Sequence, residues 1–324
     1  MLETILLGAF VLGTIVVLAN AAEKRPTVRP LLYMLLLGSN FYLFAAVLQV
    51  RENIALLALN LGLVGVATAL LVRAVRQRLA QWLPKDGFKP ESPLHMTALI
   101  FCIYLVINSL LTFAYAGDLS TLSQNIQTEG DVLELGSLFS QMLIFIAFAF
   151  LGVGFGTRRS LREVFQRLAL RAPTLHELYA GIGVAFVLFW TVYGLTVLWQ
   201  LLLPPQVVEQ QTEVSGLIAS NISTLSVAFW LAFTAAVGEE IAFRGALQPI
   251  FGMWLTSGIF ALTHVQYAFT PALGIIFIVS LGFSWARRRY NTTVAIVAHF
   301  FYNFAFAAMV VFARYALDVL EMMP

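Results

Sequence analysis

Long apolar runs alternate with short polar segments along the whole of this chain. A helix needs about 20 consecutive apolar residues to cross the hydrocarbon core of a bilayer. On that ruler, candidate spans fall near 4–21, 31–49, 54–72, 96–116, 136–156, 178–203, 224–248, 252–269, 271–286 and 292–313. The pattern predicts an all-α, polytopic transmembrane helix bundle of about ten spans, because only a helix satisfies its own backbone polar groups in lipid. The eighth and ninth runs are short, and 271–286 reads as tilted or re-entrant. Residues 4–20 follow no basic region, so they are expected to form a retained first span rather than a cleaved leader.

The polar segments divide by charge. Lys24, Arg25 and Arg29 lie in 22–30, and Arg73, Arg76, Arg78, Lys85 and Lys89 in 73–92. Arg158, Arg159, Arg162, Arg167 and Arg171 lie in 157–177, and Arg287, Arg288 and Arg289 in 287–290. The alternate loops, 117–135 and 204–223, hold Asp118, Glu129, Asp131, Glu134, Glu209 and Glu213 and no Lys or Arg. The excess of basic residues on one side places 22–30, 73–92, 157–177 and 287–290 in the cytoplasm. Within "RRSLREVFQRLALRA" from Arg158, apolar and basic residues recur at helical spacing, which predicts an interfacial helix.

Composition agrees with a membrane protein. The chain has 324 residues, 60% of them hydrophobic and 11% charged, against roughly 25% charged in soluble domains. Its mean hydropathy is +0.85. The net charge of +2 singles out no partner, and no nucleic-acid partner is expected; the lipid bilayer is. The single cysteine, Cys102, excludes an intramolecular disulfide framework and a cysteine zinc cluster.

With the loops set aside, the ionisable residues inside predicted spans are Glu239, Glu240, Arg244, His264 and His299. Charges at bilayer depth are expensive and face a protein interior or a watery cavity. All five fall on three candidate helices in the last third of the chain. Glu240 and Arg244 are i,i+4 and share a helix face, so they are placed to pair. Glu239 is turned about 100° from Glu240, which leaves its carboxylate free of that pair. Phe260 and His264 are also i,i+4, as are His299 and Asn303. Gly238 and Gly245 remove side-chain bulk on either side of the charges. Glu239 and Glu240 near the end of the seventh span, and His299 about ten residues past the 287–289 arginines, would meet in the cytoplasmic half of the membrane.

These residues carry a resemblance. "EEIAFR" from Glu239, "FALTH" from Phe260 and "HFFYN" from His299 resemble, in order and residue type, the three motifs of the CAAX-protease and bacteriocin-processing (CPBP or Abi) family of glutamate-type intramembrane endopeptidases. The resemblance covers about 220–315. It implies a protease core over 173–324, preceded by an N-terminal membrane region, 1–172, of about five helices to which no family is assigned. It further implies that Glu239 activates water as general base and that His264 holds the same water or shares the proton transfer. His299 and Asn303 would polarise the scissile carbonyl, and Glu240 with Arg244 would support the site. A carboxylate in a poorly hydrated cavity is a stronger base than one in water. Donors aimed at the oxyanion act mainly in the transition state.

No cofactor is required in this reading, although Glu239, His264 and His299 could ligate zinc if a metal is present; no HExxH occurs. The implied partner is a peptide or membrane-anchored protein substrate. The family covers trimming of prenylated CaaX proteins, processing of or immunity to secreted peptides, and maturation of membrane-anchored proteins. A basic, disulfide-free chain points to a prokaryotic inner membrane. Two other classes stay open: a non-catalytic scaffold of the same fold, and a proton-coupled transporter in which Glu239, His264 and His299 relay protons.

Overall fold

A computed structural model describes residues 2–49, 53–116, 135–205, 208–209, 212, 216, 219–264 and 272–321. The acidic loop expected over 117–135 therefore lies outside the described residues except at Leu135, as does Glu213. The described residues are helical apart from turns and one isolated bridge between Phe155 and Arg159.

The longer helices are α1 (Leu2–Lys24), α2 (Arg29–Val47), α3 (Ile54–Ala69), a short α4 (Arg73–Leu79), α5 (Pro93–Ala116), α6 (Leu135–Val153), a short α7 (Leu161–Leu168) and α8 (Leu175–Leu202). After them come α9 (Leu225–Glu239), a π-helical segment (Glu240–Leu247), α10 (Gln248–Leu262), α11 (Ala272–Arg289) and α12 (Thr292–Glu321). Their starts carry ordinary capping chemistry. Thr224 Oγ1 accepts from Val227 N at the head of α9, and Asn53 Oδ1 from Leu56 N at the head of α3. Ser160 with Glu163 and Thr174 with Glu177 form capping boxes on α7 and α8.

Among the described residues six stretches are long and apolar enough to cross a membrane: Pro26–Val47, Pro93–Thr112, Leu135–Val153, Leu175–Leu202, Leu225–Leu262 and Thr292–Leu320. A seventh arises if α3 and α4, bent by 107°, count as one. The protein is thus an integral membrane helix bundle, and among the described residues the expected count of about ten spans is not confirmed. One reason is the stretch 225–262, where two expected spans merge into one run of helix. That run is folded at Gly252, whose backbone is at φ 77°, ψ 171°, a left-handed region that favours glycine. Phe243 and Phe260 rings meet at 5.1 Å. In a straight helix they would lie about 25 Å apart at 1.5 Å per residue, so α10 beyond Gly252 returns along the π segment. Another reason is α11, only 18 residues long and ending in Arg287, Arg288 and Arg289.

The basic segments gather at one end of the bundle. Arg158 Nε donates to Asn20 Oδ1 at the foot of α1, and Glu23 accepts from Ser92 Oγ and Leu94 N at the head of α5. Thr292 N donates to Ala169 O, and Arg288 Nη1 reaches Met253 Sδ beside the Gly252 turn. A Cβ on Gly87 would stand 2.5 Å from Ile250 O, so the 73–92 segment also packs on that turn. The sidedness read from charge is therefore also a grouping in space. The expected interfacial helix is α7, which buries Val164 and Leu168 and exposes Leu161 and Phe165.

In the C-terminal part, α9 packs between α6 and α12, and α12 also lies along α8. Gly238 makes the α6–α9 approach possible: a Cβ there would stand 2.9 Å from Met142 Cα. The core beneath it is aromatic and aliphatic, with Phe243, Phe251, Phe260 and Phe283 all buried.

Candidate active site

The five ionisable residues and Asn303 sit on α9, the π segment, α10 and α12. The chain widens into the π-helical segment at Glu240, a rare geometry that occurs mostly as short insertions at functional sites. It keeps Glu240 and Arg244 side by side. Glu240 Oε1 and Arg244 Nη1 are 2.9 Å apart, and both side chains are wholly buried. The contact is an ion pair in distance, but Nη1 is not aligned for a hydrogen bond to it. Arg244 Nη2 donates instead to Ser280 Oγ (2.8 Å) and Ser280 O (3.2 Å) on α11. Its guanidinium lies 4.3 Å over the Phe260 ring and 5.5 Å from Phe283, which adds cation–π attraction in a desolvated setting.

From Glu240 the polar chain runs on into α12. His299 Nδ1 lies 2.8 Å from Glu240 Oε1, and Asn303 Nδ2 lies 3.0 Å from His299 Nε2. The simplest protonation has Nδ1–H donating to the carboxylate and the amide donating to Nε2. The imidazole is stacked on Phe283 at 4.5 Å with the planes 18° apart. Its ring nitrogens are thus both engaged, and its plane is fixed. The Asn303 amide keeps a second N–H that this chain does not use.

Glu239 faces elsewhere, as its rotation from Glu240 predicts. It borders a small, mostly apolar cleft between α6 and α9 with Leu138, Gln141, Met142, Phe145, Thr234 and Ala235. Its Oε2 is buried without a hydrogen-bond partner, and so is Glu240 Oε2. His264 stands at the end of α10. Its Nδ1 donates to Phe260 O at 2.8 Å, which leaves Nε2 as the basic nitrogen. The Phe260 ring is 4.5 Å from His264 and 6.2 Å from His299. The structure therefore joins Glu240, Arg244, His299 and Asn303 directly and attaches His264 through Phe260. It records no hydrogen bond or ion pair between Glu239 and His264.

Among the described residues no group of three or more His, Cys, Asp or Glu is arranged to hold a metal. Glu239, His264 and His299 do not fit a preformed zinc set, because Glu240 and Asn303 take both nitrogens of His299.

Sequence reasoning passed over three contributors. Ser280 binds Arg244, Ser284 O accepts from Gln248 Nε2 at 2.8 Å, and Gln141 lines the Glu239 cleft. Ser280 and Ser284 are i,i+4 in an otherwise apolar run, and that spacing was the available signal.

Comparison with known proteins bears on the same segment. Residues 221–305 match the family model of Rce1-like proteins, described as type II CAAX prenyl endopeptidase Rce1-like. All three motifs fall inside the match, so the resemblance to the CAAX-protease family stands on the segment that carries them. The chain is also 33% identical over 94 residues to the uncharacterized protein YpbD of Bacillus subtilis (strain 168), which takes in 28% of this chain and 48% of that protein. The chain thus spans about half the length of that curated relative. No solved structure matches.

Proposed function

We propose that this protein is an intramembrane endopeptidase that hydrolyses a peptide bond with water activated by a glutamate. The observation that carries the reading is the division of labour between two adjacent carboxylates. Glu240 is committed to Arg244 and His299. Glu239 borders a cleft with a buried oxygen that has no partner. A general base needs a lone pair that no internal partner holds, and Glu239 keeps one beside the cleft.

In this mechanism Glu239 takes a proton from water as the oxygen attacks the scissile carbonyl. His264 Nε2 accepts a hydrogen bond from the same water once substrate is bound. The oxyanion forms against the unused N–H of Asn303. Glu240 orients His299, and His299 orients Asn303, so the donor needs no reorganisation when charge develops. Arg244 offsets the charge of Glu240 in a desolvated interior. The proton on Glu239 passes to the leaving amine, which completes hydrolysis. Zinc is not needed for any of these steps.

The substrate would be a peptide or a membrane-anchored protein whose cleaved segment enters at the basic end of the bundle. That end faces the cytoplasm by the distribution of arginine, and a prokaryotic inner membrane is the proposed location. The test is comparative analysis of membrane and secreted peptides in cells carrying wild type or Glu239→Gln. Uncleaved precursors should accumulate in the variant. Identical peptide profiles, with a phenotype lost only on truncation, would leave a scaffold instead.

A further inference from the structure

Four arginines from three adjoining elements lie at the basic end of the bundle, outside the candidate active site: Thr292, just past α11, donates to Leu168 O and Ala169 O at the end of α7, and Arg158 N and Arg159 N both donate to Gly154 O in the turn before it. Arg158 and Arg159 come from the turn after α6, Arg167 from α7 and Arg287 from the last turn of α11. All four are half-buried. Burial and the nearby positive charges of Arg159, Arg287 and Arg158 bring the Arg167 guanidinium down to about 10. Arginines that feel one another's charge in this way repel unless an anion lies among them.

The described residues supply too little negative charge to do so. Arg158 Nε binds the neutral Asn20 Oδ1 at 2.8 Å, Arg167 Nη1 donates to Gly245 O at 3.2 Å, and Arg159 Nη1 donates to Val153 O. Arg287 Nε is buried with no partner among the described residues. Two carboxylates act on the group, Glu23 on Arg158 and Glu163 on Arg159. Glu23 is engaged by Ser92 Oγ and Leu94 N, and Glu163 by Ser160 N and Oγ. Four positive against two negative charges leave an excess of two.

The rim of the cluster says where the anion comes from. Phe155, on the turn that carries Arg158 and Arg159, and Leu161 and Phe165, on the helix that carries Arg167, expose between 39% and 51% of their surface. Phe155 and Phe165 both pack on Phe150, at 6.2 and 5.7 Å, so the apolar rim is continuous with the bundle. Arginines set among exposed apolar side chains lie at headgroup depth, with the rings at the acyl boundary.

We propose that Arg158, Arg159, Arg167 and Arg287 form a binding site for the phosphate of an anionic phospholipid, with Phe155, Leu161 and Phe165 against its upper acyl chains. Arginine suits the role because its fork of donors matches phosphate oxygens. The site touches the π segment through the bond from Arg167 to Gly245, the residue after Arg244.

The experiment is thermal unfolding of the delipidated full chain in neutral detergent, titrated with phosphatidylglycerol, phosphatidylcholine or inorganic phosphate. Phosphatidylglycerol in large excess should raise the midpoint by about 5 °C or more, and phosphatidylcholine should not. Added salt should shrink the shift. The double variant Arg158→Gln/Arg287→Gln should lose most of it, while Arg78→Gln/Lys85→Gln, two exposed basic residues elsewhere, should keep it. If the double variant does not fold, Arg287→Gln alone is measured, because its Nε makes no internal bond. Equal shifts with the two lipids, or an undiminished shift in the cluster variant, would overturn the site. An equal shift with inorganic phosphate would overturn the lipid as its source.

Discussion

Arg76 and Arg244 are both buried arginines on helical segments. Arg76 is held by oxygen and sulfur acceptors and no carboxylate. It donates to Pro90 O (2.7 Å), Leu70 O (2.6 Å), Leu71 O (2.9 Å), Met96 Sδ (3.2 Å) and Tyr33 Oη (3.4 Å). The Leu70 and Leu71 carbonyls lie where α3 ends and the chain bends by 107° into α4, so the guanidinium fills the orphan acceptors of a helix terminus. No nitrogen of Arg76 is left over. Around Arg244 the account does not close: Arg244 Nε, Glu240 Oε2 and Glu239 Oε2 are buried without hydrogen-bond partners. A polar group that is buried and complete stabilises a fold. One that is buried and incomplete calls for a reason, and a substrate and its water are such a reason.

The strongest way to break this contrast is Glu239→Gln. The change keeps the shape of the side chain and removes the proton acceptor. Turnover of an identified peptide by purified protein should fall by ~10²–10⁴-fold, the range for losing a general base. The melting temperature should stay near wild type, since the neutral amide is easier to bury than a carboxylate. Undiminished turnover would remove Glu239 from the role. Running wild type with a chelator in the same assay addresses zinc: turnover lost on chelation and restored by zinc would replace the metal-free mechanism.

Next in size is Arg244→Ala. It leaves Glu240 charged, wholly buried and paired only with His299. Losing one member of a buried pair typically destabilises by ~3–5 kcal/mol. Folded yield and activity should both drop, and Arg244→Ala/Glu240→Gln should recover part of the stability without the activity. An unchanged melting temperature for Arg244→Ala in detergent would show that the pair supports nothing.

Asn303→Ala probes the end of the polar chain. Removing an oxyanion donor typically lowers kcat by about 10²–10³-fold, with KM changed far less because the donor acts in the transition state. A rise in KM with kcat intact would make Asn303 a substrate-binding residue instead.

The two arginines also differ in how readable they were. Glu240 with Arg244 and His299 with Asn303 are four residues apart, and any helix keeps such positions close. The structure shows both contacts. The bond from His299 to Glu240 joins residues 59 apart in sequence. It depends on the packing of α12 against the π segment, which no local pattern encodes. The π segment itself was hidden, since hydrophobic periodicity over eight residues does not separate it from α-helix. So was the reversal at Gly252: the residues on either side are apolar, and hydropathy alone does not show a chain folding back. The burial of Arg76 was hidden for a related reason. Its charge places it with the other basic residues of 73–92, but the bend between α3 and α4 carries it under the end of α3, where it is 4% exposed.

The mildest test is therefore on Arg76. Arg76→Met keeps the length and apolar stem of the side chain and removes every donor. The carbonyls of Leu70, Leu71 and Pro90 then lose their charged partner at the α3–α4 bend. Leaving buried acceptors unsatisfied destabilises by ~1–3 kcal/mol, and water from the nearby polar segment would hold the loss to the lower part of that range. Activity per folded molecule should stay within about twofold of wild type, because no bond links Arg76 to the polar chain around Glu240 and the stability loss acts on the folded fraction alone. The measurement is melting temperature and single-turnover cleavage on the same preparation, with Arg244→Ala alongside. If Arg76→Met lowered the cleavage rate of the folded protein as much as Arg244→Ala does, the closed and the open arginine would be parts of one site, and the contrast between them would fail.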